Sequence, residues 1–331
     1  MEYRRLGERT GLHVSAIGLG AWGIGGPVAV KNRTGPDLAP ANYGSLTEDE
    51  AFATIDAALE AGVTFIDTAP FYGGDGVSET RIGRALRGRD GIVVATKVGV
   101  FKEGDQYRRV FTREVVRRQI EESRRRLDRD VLDVELIHSP SRVEYGNGES
   151  LDELVAQKAA GRVRFIGFSI GYDAQQGLEF LRTGAVDVLE APLSLLRPQV
   201  ADQLLAAADR LGVGVIAREP LANGFLTGRF RRDTEFPEDD QRRNWPRAQV
   251  VDFVERAEQF RFLCEGTGRT PSQAALAWVL SHPEIATVIG GAMRPPEIQE
   301  NAAAADTPPL TAAELARVRA IHARALAGTG G

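Results

Sequence analysis

Cysteine is nearly absent from this chain. Cys264 stands alone among 331 residues, so no internal disulfide can staple the fold and no multi-cysteine zinc site can form. It is read as a packing residue rather than a nucleophile. Histidine is scarce, at four residues, and no metal-ligating arrangement is visible. Charge of one sign is not concentrated either. The formal net charge is −5 and there is no basic block, which argues against nucleic acid or an anionic membrane surface as a partner. No apolar run approaches the roughly 20 residues that span a bilayer. The opening "MEYRRLGERTGLHVSAIGLG" lacks the apolar stretch and small-residue cleavage site of a signal peptide. A hydrophobic content of 43% and a charged content of 26% then leave an ordinary globular protein, expected to be cytoplasmic. The sequence carries no signal of its oligomeric state.

What is present is a repeated alternation. Short β-branched runs recur at 14–20, 64–68, 92–97, 132–138, 163–169, 186–192, 212–218 and 286–292, with helical stretches between them. "TEDEAFATIDAALEAG" opens on Thr47 as an N-cap, with Glu50 three residues on as its capping-box partner, and stops at Gly62. "TREVVRRQIEESRRRLD", "SLDELVAQKAAG" and "PQVADQLLAAADRLG" repeat apolar residues at helical spacing. Eight buried strands, each followed by a helix, predict a (β/α)8 barrel of the TIM type. About 250 residues suffice for such a barrel, so the surplus must lie in extensions. These are a short hairpin over 1–13, long loops after the first strand (23–45) and the seventh (227–249), and a C-terminal amphipathic helix over 310–328. No linker marks a boundary, so residues 1–331 are read as one domain. Both long loops leave the C-terminal ends of strands, the face where barrel enzymes keep their sites.

"GLGAWG" (18–23) fits the glycine pattern of a dinucleotide-binding turn. Its context fails: a helix should open at the third glycine, but "GIGGPVAVKNRTGP" follows, which cannot be helical. Gly18, Gly20 and Gly23 are read instead as a tight strand-to-loop turn.

The stretch "FIDTAPFYGGDG" leaves the second strand through an acid, Asp67, and places a phenol, Tyr72, just beyond. The third strand ends in Lys97 and the fourth in His138. Barrel closure brings these strand ends together around one pocket. Their chemistry is coherent. A phenol with a reference pKa of about 10 holds its proton at neutral pH, and a nearby ammonium lowers that pKa. Asp67 would orient Lys97, and His138 would bond a substrate oxygen. This describes a general acid for a carbonyl oxygen, with hydride delivered from a nicotinamide.

At this point the sequence resembles the aldo-keto reductase family. "AIGLGAWGIGG", "FIDTAPFYGG", "VVATKVG", "LIHSP", "RVRFIGFSI", "EPLANGFLTGRF" and "IGGAMRPPEIQENAAAA" carry the likeness across nearly the whole chain. The resemblance implies that Asp67, Tyr72, Lys97 and His138 form the catalytic set. It also implies that NADP(H), less often NAD(H), binds across the barrel top, contacted by Gly20, Ala21, Trp22 and Asp67. Ser169 matches the serine that holds the carboxamide, while its usual asparagine partner is Ile170 here. The family's glutamine appears as Glu190, the stacking aromatic as Leu193, and Ser194 matches the usual Asn or Ser. Leu221, Asn223 and Gly224 match the pyrophosphate cradle. Gly291, Ala292, Met293, Arg294, Glu297, Glu300 and Asn301 match the adenosine segment. Met293 falls where a 2′-phosphate cation is usual, with Arg294 next to it, and the expectation tilts slightly to NADP(H) over NAD(H).

The expected activity is interconversion of an aldehyde or ketone and its alcohol, with Tyr72 as acid and a small-molecule carbonyl or alcohol as the substrate. Trp22, Phe71, Tyr72, His138, Tyr107 and Trp245 are expected to line the substrate pocket. Two other readings stay open: a non-catalytic binding protein on the same barrel, and an aldolase using Lys97 as a Schiff base.

Overall fold

The computed structural model describes residues 1–31 and 38–328. Eight parallel strands close a barrel: β1 (Ile17–Gly20), β2 (Phe65–Asp67), β3 (Val93–Val98), β4 (Leu132–His138), β5 (Val163–Ser169), β6 (Val188–Pro192), β7 (Gly214–Arg218) and β8 (Ile285–Gly291). They pair in chain order, and β8 closes onto β1 through Val288 opposite Ile17. Every expected strand is present. β1 is shorter than its apolar run because His13–Ser15 turns away to pair antiparallel with Tyr3–Arg5. That is the expected N-terminal hairpin, carried two residues further.

Strands alternate their side chains between two faces, and the two faces build two cores. Inside the barrel lie Phe65, Val93, Ala95, Val134, Leu136, Val188 and Ile216, with Leu6 and Val14 of the hairpin plugging the lower end. The larger outer core packs the opposite faces against the helices, as Ile66, Val94, Ile137 and Phe168 do. The helix Glu48–Glu60 has the expected capping box, with Thr47 accepting from the Glu50 backbone and Glu50 accepting from that of Thr47. Arg113–Leu127, Glu149–Ala159 and the tail helix Ala312–Gly328 fall where their periodicity placed them. The stretch over 198–212 is less regular: a π-helical turn at Ala201–Leu205 precedes Ala206–Arg210, an irregularity that apolar spacing does not encode.

The long loop after β1 contains more structure than its composition suggests. Ala29–Lys31 and Leu38–Pro40 pair with each other, and a hairpin of Val100–Glu103 and Gln106–Arg109 joins them in a four-stranded sheet. Residues 32–37 of the expected loop lie outside the described residues. After β7, the expected loop gives way at Arg247–Glu258 to a helix. Among the described residues no helix is long and apolar enough to cross a membrane.

Candidate active site

A two-residue period along each strand decides what reaches the mouth of the barrel. Phe65 and Asp67 share one face of β2, Ala95 and Lys97 one face of β3, and Leu136 and His138 one face of β4. Ser169 on β5, Glu190 on β6 and Arg218 on β7 continue the ring. Apolar layers fill the barrel below, and polar side chains from six consecutive strands ring its top.

Tyr72 reaches this ring from the turn after β2. Two glycines hold that turn. Gly73, at φ 78°, lies backbone against backbone on Gly25, and a Cβ on either would collide with the other's main chain. The Ser78 backbone N–H also donates to the Tyr72 carbonyl at 3.1 Å. Lys97 is wholly buried. Its ammonium donates to Asp67, to the Thr68 carbonyl at 3.0 Å and to Tyr72 Oη at 3.3 Å. These use all three of its protons. Because Tyr72 Oη accepts from Lys97, its own proton is left to point elsewhere.

The electrostatics follow from burial. Burial opposes the Lys97 ammonium, but Asp67, Glu190 and Tyr72 outweigh it and hold its pKa above the ordinary value. For Tyr72, burial wins over Lys97, with Asp67 and Glu190 adding to it, and the phenol titrates above its usual range. The sequence suggested a lowered value; desolvation reverses that in the free protein. Burial, then the cations Lys97, Arg218 and Arg109, hold the His138 imidazole well below its ordinary range, so it is neutral. Glu190 Oε1 accepts from the Ser169 hydroxyl at 2.8 Å, while Oε2 lies 3.5 Å from Lys97 without a hydrogen bond.

Above the ring opens a cavity of about 970 Å³. Trp22 Nε1, His138 Nδ1, Glu190 Oε2, Arg197 Nη1 and Arg218 Nε are buried without hydrogen-bond partners, and all five residues line it. Such a concentration of unpaired donors and acceptors is what a bound polar molecule would satisfy. The segment after β7 adds backbone strain, since Glu219, Ala222 and Asn223 all have positive φ, uncommon for residues with a side chain. The loops after β1 and β7 then join across the mouth. Gln241 N–H donates to the Asn42 carbonyl at 2.7 Å, Tyr43 O–H to Asn223 Oδ1 at 2.6 Å, and the Ser45 hydroxyl to Asp239 at 2.6 Å.

Most expected site residues line this cavity: Gly20, Trp22, Asp67, Tyr72, His138, Ser169, Glu190, Trp245, and the segments holding Leu221, Asn223, Gly224 and Gly291 to Glu297, with Glu300 and Asn301. Lys97 sits directly beneath. Several others, Ser194 among them, do not line it. Leu193 is 1% exposed: its N–H still bonds the Arg218 carbonyl, and the alternation that turns Glu190 inward turns Leu193 outward into the helix-side core. Ala21 is part of the wall, donating to the Asp67 carbonyl and accepting from Ser78. Phe71, 3% exposed, stands between Trp22 and Tyr107, tilted to the first at a ring distance of 5.8 Å and edge-on to the second at 4.8 Å. Phe71 and Tyr107 therefore back the pocket wall. Ile170 is likewise buried and offers only backbone, its carbonyl accepting from Arg218 at 2.9 Å. The sequence reading missed Tyr43, Tyr172, Arg197, Arg218 and Arg229, which do line the cavity. Arg218 could have been found, since it closes β7 as His138 closes β4.

A family model described as the aldo/keto reductase family matches residues 16–323. An NADH-specific methylglyoxal reductase of Escherichia coli is 30% identical over 310 residues, covering 89% of this chain and 91% of that protein. An L-galactose dehydrogenase of Arabidopsis thaliana is 33% identical over 322 residues, 92% of this chain and 88% of that one. The solved structure of a glycerol dehydrogenase from Gluconobacter oxydans matches with a TM-score of 0.79 at 30% identity, over 97% of this chain and 95% of its own. The barrel, the buried lysine under a tyrosine and a match from β1 into the tail helix lead to one conclusion: the chain belongs to the aldo/keto reductase family of nicotinamide-linked oxidoreductases.

Proposed function

We propose that this enzyme interconverts a small polar aldehyde or ketone and its alcohol, with Tyr72 as the proton donor to the carbonyl oxygen. The observation that carries the reading is the contact between Lys97 and Tyr72. Lys97 donates to the phenol oxygen at 3.3 Å, which turns the phenol proton toward the cavity and stabilises the oxygen once that proton has left. A bound nicotinamide would supply the hydride. Asp67 fixes the lysine. His138, neutral, donates to the carbonyl oxygen and orients it. Trp22 and Trp245 form the aromatic sides of the substrate space. The relatives named for methylglyoxal, galactose and glycerol share small size and polarity, and that supports a substrate of the same class. An aldolase reading is disfavoured, because a Schiff base needs a neutral amine and Lys97 is held charged.

Ser169 and Glu190 would hold the carboxamide, Leu221, Asn223 and Gly224 the pyrophosphate, and Met293 to Asn301 the adenosine. NADP(H) is favoured over NAD(H). Arg294 is exposed at the cavity edge, and among the described residues it makes no ion pair. Glu297, which would repel a 2′-phosphate, is occupied by the Arg229 guanidinium at 2.7 Å and the Met293 N–H at 2.9 Å. The whole chain is taken to work as one catalytic unit.

Tyr72→Phe tests the reading. The ring stays and the hydroxyl goes, so kcat for carbonyl reduction should fall by about 10²- to 10⁴-fold. Cofactor affinity, read by fluorescence titration, should stay nearly constant. A variant that keeps most of its kcat overturns Tyr72 as the acid.

A further inference from the structure

Glu190 brings a second buried carboxylate into a site that already holds Asp67. Both face one ammonium. Asp67 is ion-paired with Lys97, and Glu190 Oε2 lies 3.5 Å from the same nitrogen. Lys97 has no proton left for Glu190, since its three are spent on Asp67, Thr68 and Tyr72. The next cation, Arg218, approaches Glu190 only to 3.9 Å through Nε. The ends of that guanidinium are committed to Glu219 and the Ile170 carbonyl. The remaining polar groups around the ring carry no charge to offset a carboxylate: the Ser169 hydroxyl, the Tyr72 phenol and the neutral His138. With both acids ionised, one wholly buried carboxylate oxygen keeps a full share of charge and no donor. Two neighbouring carboxylates in such surroundings retain a proton between them.

We propose that Asp67 and Glu190 form a carboxylate pair that carries one proton in the free protein, and that Glu190 thereby sets the pH range in which Tyr72 exchanges its proton. The inference rests on Tyr72 being the acid. Burial, then Glu190, raise Asp67 well above the ordinary carboxylate range. Burial of Glu190 is outweighed by Lys97, Arg218, Asp67 and Ser169, which lower it. The proton belongs to the pair as a unit. With one proton on the pair, its single charge matches Lys97. Loss of that proton adds a negative charge behind Lys97 and makes the phenolate harder to form. In alcohol oxidation ionised Tyr72 would take the proton of the substrate hydroxyl, and a bound oxidised nicotinamide would be the acceptor for the hydride from the carbinol carbon. In reduction both transfers reverse. Glu190 thus pushes oxidation to higher pH and leaves reduction, which needs the neutral phenol, the wider range.

Glu190→Gln keeps the shape and the acceptor for Ser169 while removing the charge. The first measurement uses cofactor-free protein at neutral pH. Infrared spectra should show a protonated-carboxyl band that the variant lacks, because Asp67 alone with Lys97 ionises. Glu135, buried with both oxygens unpartnered, gives a band of its own, so the comparison is made in a Glu135→Gln background. The second measurement is kcat for alcohol oxidation against pH, whose apparent pKa should fall by about one to two units in Glu190→Gln. A missing band in the Glu135→Gln protein overturns the shared proton, and this holds even where Glu190→Gln does not fold. An unmoved pH profile overturns the control of Tyr72. An active Tyr72→Phe enzyme would instead remove the reading beneath, which separates the two failures.

Discussion

Replacing Lys97 with methionine leaves a stem of similar length and removes the cation that Asp67 and Glu190 share. What remains is two buried carboxylates, with Arg218 at 3.9 Å from one of them. Each can stay charged and unpaired, at a cost of about 3–5 kcal/mol, or take up a proton. Holding a proton costs about 1.4 kcal/mol for every pH unit above the carboxylate reference of about 4. Protonation is therefore the cheaper state up to about pH 7. The wild-type pair carries one proton and the variant pair would carry two, while the unfolded chain carries none above the ordinary range. The folded variant binds more protons than its unfolded form, so its stability falls as pH rises, about 1.4 kcal/mol per pH unit more steeply than wild type. The penalty should be about 1–2 kcal/mol near pH 5 and about 4–5 kcal/mol near pH 8, where unpaired charge caps it. Urea unfolding of both proteins across that range measures it. Carbonyl reduction should be almost lost throughout, since Tyr72 loses its donor. A stability penalty that does not change with pH, small or large, would refute the reasoning.

Three further outcomes follow from the geometry. Glu135 is buried without a partner, and burial, then Glu79, raise its titration well above the ordinary range; folding holds a proton there that the unfolded acid releases, so wild-type stability falls with rising pH. Glu135→Gln should accordingly gain stability that grows with pH, reaching about 1–3 kcal/mol, and a gain that is flat in urea titrations across pH would contradict this. Tyr43→Phe removes the 2.6 Å bond to Asn223 that joins the two loops over the mouth; at about 1 kcal/mol, cofactor release in stopped flow should quicken about fivefold, and an unchanged rate would show that the loops do not gate release. Arg294→Ala should weaken NADPH by about one to two orders of magnitude and NADH far less; equal losses in fluorescence titration, or a wild type that prefers NADH, would reassign the phosphate clamp.

Much of the site was legible because strand ends are legible. Asp67, Lys97 and His138 each close a β-branched run, and a barrel has one place to bring such ends. Side-chain direction one residue past a strand is a different matter. Leu193 looks like a pocket residue by position, yet the strand's alternation points it outward and buries it under the helices. Phe71 and Tyr107 are aromatic in either role, and composition does not say which face they offer. The sheet beside the mouth is built from strands of three or four residues, too short for alternation to stand out. The hairpin within it did carry a signal in the turn at Gly104, whose φ is 57°. Net burial, which raises Tyr72 instead of lowering it, has no local trace in sequence at all.

The polar residues on β3 and β4 have a consequence for how the chain finds its alignment. Lys97 points into the barrel, while its neighbour Thr96 points out and donates to Glu79 on the helix Val77–Ala85 at 2.6 Å. Glu135, opposite Thr96 in the ladder, also faces the helices, and His138 faces in. A slip of one residue exchanges the faces of a whole strand. On β3 it would drive an ammonium into the apolar layer under the helices, and on β4 it would set Glu135 among Phe65 and Val188 inside the barrel. An all-valine strand would pair almost equally well in either alignment. Here the same charges that equip the mouth also make the wrong alignment costly, so the buried lysine helps the barrel to close in one register.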